Sequence, residues 1–289
     1  MALLKRRSGA TRPGAADPAA SGPRLAILAG AGRLPVRLAE ANPGAFLVSF
    51  EGSPCELPED QLTRFRFEKL GGLFDRMRAE GVERIVMAGA LARPKLDMTQ
   101  VDRKVMTLAP KLLKALGGAG DDGVLRLVIS ILEDEGFAVV GSHELLPDAT
   151  AKPGRIGGPA LSREARADIT RAQEILSTLS PLDIGQGCVV AGGLCLGIET
   201  LQGTDAMLRF VGETPALKRP GKGVLVKAPK IGQDLRVDMP AIGPATLKAA
   251  AEAGLEAVVI AAGKVLLVDG ALLPDLAREL GIALHAVEM

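Results

Sequence analysis

Near its start the chain alternates apolar runs with a glycine turn and a helical pattern, and this order strongly restricts the fold. Residues 24–29 (RLAILA) form an apolar run of strand length, and residues 45–50 form a second one. Between them lie the turn 30–32 (GAG) and a helical pattern over residues 34–41. A strand, a tight turn, a helix and another strand are the unit from which parallel sheets are built. The sequence therefore predicts that the chain begins with a parallel α/β sheet.

Further apolar runs extend this pattern through the first half. Residues 84–87 and 137–141 are predicted to be additional buried strands, each after a helical pattern. A linker rich in Pro and Gly at residues 152–159 ends the pattern. We predict an α/β protein with a disordered tail or mis-assigned start at residues 1–22, an N-terminal Rossmann-like parallel-sheet domain at residues 23–153, and a C-terminal α+β catalytic domain with hairpins at residues 154–289.

The second half is predicted to contain two hairpins. One joins residues 188–191 to residues 194–198 through a Gly-Gly turn. The other joins residues 257–261 to residues 265–268 through a Gly-Lys turn. These hairpins are the basis for predicting an α+β domain after the linker.

Charge and composition exclude several classes of function. The net charge is +1 and the chain has 7 Phe but no Trp or Tyr, so neither a broad basic surface nor stacking platforms for nucleic acid are expected. No apolar run approaches the roughly 20 residues of a membrane-spanning helix. The 3 cysteines form no C-x-x-C motif, which indicates reduced thiols in the cytoplasm, and 2 histidines are too few for a histidine-rich zinc site.

The first turn suggests a phosphate site. Gly30, Ala31 and Gly32 lie where backbone N–H groups gather at a helix start, an arrangement that suits phosphate. The Gly30-x-Gly32 spacing, with Glu51 about 20 residues further on, also fits an NAD(P)-dependent oxidoreductase. However, Pro35 stands where the third glycine of that fingerprint would be. A plain tight turn between strand and helix is the remaining alternative.

Residues 227–246 concentrate charge between an apolar run and a helical pattern. Lys227, Lys230 and Arg236 are candidates for binding phosphate oxygens. Asp238 offers a carboxylate that could hold a divalent metal or orient a water molecule. A solvated, salt-bridged loop without a ligand is the alternative interpretation.

Other candidates lie at strand ends and helix starts. Arg93 follows the strand at residues 84–87, and His143 follows the strand at residues 137–141. Open α/β sheets bind their ligands at this edge, so both side chains are candidate substrate contacts. The residues at two later helix starts, which could cap the helix or bind a ligand, are Asp121, Asp122, Thr204 and Asp205.

Seven short motifs point to one family through their order and spacing. They are GAGRLP at 30–35, GDD at 120–122, GSHE at 141–144, LDIGQG at 182–187, QGTDAMLR at 202–209, KAPK at 227–230 and RVDMPAIG at 236–243. No single motif is specific, but together the chain resembles the UDP-2,3-diacylglucosamine pyrophosphatases of the LpxI type over about residues 24–287.

This resemblance implies a reaction and its partners. The expected reaction is Mg²⁺-dependent hydrolysis of a lipid-linked sugar nucleotide, UDP-2,3-diacylglucosamine, to UMP and 2,3-diacylglucosamine 1-phosphate (lipid X). This is a cytoplasmic step of lipid A biosynthesis. The resemblance also implies a substrate held between two domains, a homodimer, and transient contact with the inner face of the membrane through the substrate. A sugar-nucleotide binding protein without catalysis remains an alternative.

The resemblance also assigns one residue role. The essential aspartate of the family maps onto Asp238, and water attacks the phosphorus on the sugar side. One member of the family has a Glu where Asp234 stands, so the resemblance assigns no secure role to Asp234. The candidate Mg²⁺ ligands are Asp121, Asp122, Asp205 and Asp238.

Overall fold

The computed structural model describes residues 24–91, 97, 99–118 and 121–289, and only the backbone of residues 112–118, 121 and 122. The predicted tail at residues 1–22 and the candidate Arg93 lie outside the described residues. The side chains of Asp121 and Asp122 lie outside them as well.

The first half forms a five-stranded sheet in which all paired strands run parallel. Its strands are β1 (Arg24–Ala29), β2 (Phe46–Phe50), β3 (Thr63–Phe65), β4 (Val82–Ala88) and β5 (Ala138–Val140). They lie in the order β3-β2-β1-β4-β5. β1 is buried after its first residue, as an apolar central strand with neighbours on both sides should be. The predicted parallel sheet is confirmed.

Helices cover both faces of this sheet. Ile27 of β1 packs with Leu38 on one face, and its neighbour Leu28 packs with Met77 on the other. Side chains alternate across a strand, so β1 contributes to two separate cores. The helices of this half are α1 (Arg33–Ala41), α2 (Leu70–Ala79), α3 (Arg103–Gly118), α4 (Asp121–Asp134) and the short α5 (Ser142–Leu145).

The second half is built on a six-stranded mixed sheet. Its strands are β6 (Gly154–Gly157), β7 (Gly187–Ala191), β8 (Leu194–Ile198), β9 (Val224–Lys227), β11 (Ala257–Ala261) and β13 (Ala283–Val287); the two short strands β10 (Ala241–Ile242) and β12 (Leu266–Leu267) pair separately. The order is β6-β13-β11-β9-β7-β8. β9, β11 and β13 run parallel, whereas β6, β7 and β8 add antiparallel pairs.

One predicted hairpin is confirmed and the other is wrong. β7 and β8 pair antiparallel around Gly192-Gly193, as predicted. β11 instead pairs in parallel with β9 and β13, and β12 pairs in parallel with β10. The reason is burial: all five residues of β11 are buried, and such a strand is stable in the middle of a sheet between parallel neighbours.

The helices of the second half pack against this sheet. They are α6 (Arg163–Leu179), α7 (Gly203–Gly212), α8 (Pro244–Glu252) and α9 (Leu273–Glu279). Ser162 caps the N-terminus of α6, and its hydroxyl oxygen accepts a hydrogen bond from the Ala165 N–H at 2.9 Å. Among the described residues, no helix combines the length and apolar character needed to cross a bilayer.

The segment between β9 and α8 lies against the first half of the chain. Val237 packs on one of the two N-terminal cores, and Met239 and Ala241 pack on the other. Arg37 of α1 also donates a hydrogen bond to the Leu267 carbonyl at 3.3 Å. The charged stretch at residues 227–246 therefore lies between the two sheets.

Candidate active site

Lys227 lies at the centre of a buried polar cluster. The sequence pattern predicted a loop position, but Lys227 is the last residue of β9 and is only 5% exposed. Its Nζ lies 3.2 and 3.1 Å from the two carboxylate oxygens of Glu199 and also donates to the Thr204 hydroxyl. That hydroxyl donates to Glu199 Oε1 at 2.8 Å. An ammonium has three N–H donors, which equals the number of these acceptors, so Lys227 would have to exchange one of them to bind a phosphate oxygen.

Removing Glu199 should destabilise the fold strongly. We expect Glu199→Ala to lower the free energy of unfolding by about 3 kcal/mol, because Lys227 would be left as an uncompensated buried charge. The two side chains are 6% and 13% exposed. Urea unfolding measures the change, with Asp275→Ala as the control because its partner Arg278 is exposed and the expected loss is below about 1 kcal/mol. Equal losses in both variants would contradict a stabilising role for the buried pair.

Asp238 is held by two glutamine side chains. The Gln233 amide donates to the Asp238 carbonyl at 2.8 Å and to its carboxylate oxygen Oδ2. The Gln186 amide approaches the same Oδ2 at 3.4 Å, from the residue just before β7. Asp238 itself is half-buried. Its carboxylate is therefore fixed in direction, as a group that orients water or a cation must be.

Arg236 joins the charged loop to the first half of the chain. It makes a bidentate pair with Asp234, with Nε–Oδ1 at 2.9 Å and Nη2–Oδ2 at 2.7 Å. Its Nη1 donates to Glu133 of α4 at 2.7 Å. The hydrogen bonds from Arg236 lower the pKa of Asp234, and the two carboxylates raise the pKa of Arg236. In this structure Arg236 anchors the loop, so binding phosphate would require it to exchange one of these partners.

A cleft of about 380 Å³ opens between α4 and the loops of the second half. On one side lies Arg126 of α4, whose Nη2 donates to the Gly232 carbonyl at 2.7 Å. On the other side, Lys230 Nζ pairs with Asp183 at 2.5 Å, and the Lys230 N–H donates to Gln233 at 2.8 Å. Gln233 lines the cleft and holds Asp238. The cleft thus presents Arg126 and Lys230, two cations suited to a phosphate ester, and Gln233 connects its wall to the Asp238 carboxylate.

Both halves of the chain match family models. Residues 24–149 match the LpxI N-terminal domain, and residues 152–285 match the LpxI C-terminal domain. UDP-2,3-diacylglucosamine pyrophosphatase LpxI of Caulobacter vibrioides is 38% identical over 274 residues, which covers 92% of this chain and 98% of that protein. The chain belongs to the LpxI family. The resemblance drawn from the sequence motifs is confirmed, and the relative's name agrees with the predicted enzyme class, a hydrolase acting on a phosphorus anhydride.

In this LpxI-family chain, the backbone of the glycine turn at residues 30–32 lies directly against the backbone of residues 88–90. The Gly30 N–H donates to the Ala88 carbonyl at 2.8 Å, and the Ala31 N–H donates to the Ala90 carbonyl at 2.9 Å. A Cβ on Gly30 would lie 2.4 Å from Ala90 O, so only glycine fits there. The two donors predicted to bind phosphate are thus already occupied. Gly32 precedes α1 at a φ of 99°, with open space around its Cα, and remains the candidate phosphate contact of this turn.

His143 lies at the end of β5, in the first turn of α5. Its ring covers Gly141, where an added Cβ would lie 2.4 Å from His143 Cε1. The buried Nδ1 has no hydrogen-bond partner among the described residues. A buried polar atom of this kind ordinarily has a partner, so His143 remains a candidate contact for a ligand.

The described carboxylates do not form a complete metal-binding site by themselves. Asp205 is exposed on the first turn of α7, and the described part of the chain has no group of three or more His, Cys, Asp or Glu placed to hold a metal. Mg²⁺ commonly takes one or two carboxylates and completes its shell with water and substrate phosphates. Asp238, beside the cleft, fits that limited requirement.

Three residues of the candidate site were not predicted from the sequence as site residues. They are Glu199, which pairs with Lys227, and Gln186 and Gln233, which hold Asp238. Gln186 stands in the LDIGQG motif, and Glu199 directly follows a predicted strand. Both positions therefore gave weak evidence in the sequence for a place in the site. For Gln233 the sequence offered no such evidence beyond its position in the charged loop.

Proposed function

We propose that this protein hydrolyses the pyrophosphate of UDP-2,3-diacylglucosamine to UMP and 2,3-diacylglucosamine 1-phosphate (lipid X), a step of lipid A biosynthesis. The observation that carries this proposal is the oriented Asp238 carboxylate beside a cleft that also presents Lys230. The relative named for this substrate is similar over nearly the whole chain, which supports the assignment. Formation of UMP from that substrate by the purified protein tests it.

The reaction makes one phosphorus–oxygen bond and breaks another. A water oxygen attacks the phosphorus on the sugar side, and the bond from that phosphorus to the bridging oxygen breaks. The bridging oxygen leaves with UMP, one of the water's two protons is released to solvent, and the other stays on the new phosphate oxygen until that group ionises. We assign the orientation of the water to Asp238, held by Gln186 and Gln233. Lys227 and Lys230 neutralise the phosphate oxygens as negative charge shifts to the leaving group.

The proposal includes Mg²⁺ as the cofactor. When bound, the cation polarises the phosphate oxygens and lowers the pKa of a coordinated water. Asp238 is the described carboxylate that would hold it, together with oxygens of the substrate.

Chelation should therefore abolish activity. We expect excess EDTA to stop UMP formation and added Mg²⁺ to restore it, because Mg²⁺ prefers the oxygen ligands that this site offers. The measurement is initial rate against free Mg²⁺ concentration, with EDTA pre-saturated with Mg²⁺ as the matched control. Full turnover in excess chelator would remove the metal from the mechanism.

The two alternative functions make different predictions. The nicotinamide alternative depended on the glycine turn, where Gly30 and Ala31 already donate their N–H groups to β4 and the residues after it. It predicts a change in NAD(P)H absorbance on turnover and no need for metal. A sugar-nucleotide binding protein would be stabilised by the substrate without releasing UMP.

Apolar side chains around the cleft support a lipid substrate. Leu182, Ile184 and Ile231 are 66%, 40% and 74% exposed. They lie on neighbouring loops, because the Ile231 N–H donates to the Ser180 hydroxyl and Lys230 pairs with Asp183. We assign this apolar rim to the acyl chains and to transient contact with the inner face of the membrane. The protein would then work in the cytoplasm, at the membrane surface.

We also propose a homodimer, on the family resemblance alone. Light scattering of the purified protein should give about twice the chain mass of 29.9 kDa. A mass that stays at one chain across the concentrations used for activity would contradict the dimer.

A further inference from the structure

We propose that Cys188 and Cys195 form a reversible dithiol–disulfide site, and that a peroxide closes it and thereby lowers the hydrolytic activity. The two sulfur atoms lie 3.9 Å apart on the paired strands β7 and β8. All 3 cysteines of the chain are free thiols in this structure. The effect on activity rests on the proposed function, whereas formation of the disulfide does not.

The strand pairing places both thiols on one face of the sheet. Cys195 lies opposite Val190, and Val190 points to the same face as Cys188 because the two are two residues apart on one strand. A disulfide bond is about 2.0 Å long, so the sulfur atoms must approach each other by roughly 1.9 Å. β8 can supply this movement because it is the edge strand of its sheet and pairs only with β7.

The two thiols differ in exposure and in acidity. Cys195 is exposed, whereas Cys188 is completely buried. The hydrogen bond between the two lowers the pKa of Cys195, and the same bond together with burial raises the pKa of Cys188. Cys195 is therefore the thiolate that meets an oxidant first, and Cys188 is the resolving thiol.

The chemistry balances with hydrogen peroxide as the oxidant. The Cys195 thiolate attacks one peroxide oxygen, the O–O bond breaks, and hydroxide leaves and is protonated to water. Cys195 is then a sulfenic acid. The Cys188 sulfur attacks the Cys195 sulfur as its proton is lost, and the hydroxyl of the sulfenic acid leaves as a second water. Overall, two thiols and one peroxide give one disulfide and two waters.

The disulfide site is connected to the candidate active site through Glu199. β8 ends at Ile198, and the next residue, Glu199, pairs with Lys227. The Glu199 N–H donates to the Gly187 carbonyl at 2.8 Å, directly before Cys188. An added Cβ on Gly187 would lie 2.5 Å from Glu199 Oε2, so this contact has no spare room. A shift of β8 along β7 must therefore displace the carboxylate that positions Lys227.

The experiment uses the full-length protein, treated with hydrogen peroxide and then freed of it. We expect thiol titration to fall from 3 reactive groups to 1 in denaturant, a Cys188–Cys195 cross-link in peptide mapping, and full reversal by dithiothreitol. Cys55→Ser should still form the cross-link and Cys195→Ser should not. A thiol count that stays at 3, or a cross-link to Cys55, would overturn the site.

The effect of the disulfide on the candidate active site is tested by separate measurements. Oxidation should lower kcat by about tenfold or more, since a displacement of about 1 Å can cost up to 100-fold. Cys195→Ser should keep the reduced wild-type rate and become insensitive to peroxide. Amide hydrogen exchange at residues 199–205 should change on oxidation, which can be measured even if the pyrophosphatase assignment fails. A cross-linked protein with unchanged exchange would overturn the coupling, as would unchanged kcat in an active enzyme.

Discussion

Asp238→Ala is expected to lower kcat for UDP-2,3-diacylglucosamine by at least about 100-fold, the scale for losing a key electrostatic group. The carboxylate is the charged group that Gln186 and Gln233 hold in a fixed direction beside the cleft. The lysines and the apolar rim are unchanged in this variant, so KM should change much less than kcat. Steady-state kinetics with detection of UMP gives both constants.

Two comparisons make the Asp238 result interpretable. The melting temperature of the variant should stay close to that of the wild type, which separates lost chemistry from lost folding. Asp275→Ala, on the exposed surface of α9, should keep the wild-type rate. A folded Asp238→Ala protein with a near-wild-type kcat would remove Asp238 from the mechanism.

The second large effect concerns the acyl chains. UDP-N-acetylglucosamine keeps the uridine and the pyrophosphate but lacks both long chains. Each buried methylene contributes about 0.8 kcal/mol, so a few per chain supply several kcal/mol that can position the reacting phosphorus. We expect kcat/KM for this polar analogue to be at least about 1000-fold lower than for the diacyl substrate.

A variant of the apolar rim provides the matched control. Ile231→Ser should lower kcat/KM for the diacyl compound while leaving the slow reaction of UDP-N-acetylglucosamine unchanged, because Ile231 is exposed beside the cleft. Equal kcat/KM for the two substrates in the wild type would mean that the protein recognises only the nucleotide and the sugar, and not the acyl chains. The lipid assignment would then fail even if hydrolysis were observed.

The sequence predicted local elements well where burial alone decides them. The first strand, residues 24–29, was predicted with the bounds that β1 has. The second hairpin was wrong because residues 257–261 and 265–268 are both apolar and adjacent, a pattern that also fits strands with distant partners. Which strand pairs with β11 is decided by packing between remote segments, since β9 and β13 come from either side of it in the chain.

The candidate site was predictable only in part, for the same reason. Lys227 and Asp238 were singled out because charges of both signs crowd one loop. Glu199 lies 28 residues before Lys227, and their contact exists because β7 pairs with both β8 and β9, which lets the residue after β8 reach the end of β9. No local sequence pattern predicts this contact between Glu199 and Lys227. Arg236 shows the reverse case, because the sequence predicted a phosphate contact and the structure pairs it with Asp234 and Glu133.

The central claim is hydrolysis of one substrate, and a single end-point assay tests it most directly. Purified protein is incubated with UDP-2,3-diacylglucosamine and Mg²⁺, and products are identified by mass spectrometry, with Asp238→Ala as the matched control. We predict UMP and 2,3-diacylglucosamine 1-phosphate in equal amounts from the wild type and almost none from the variant. Intact substrate after prolonged incubation of folded wild-type protein would contradict the proposed function.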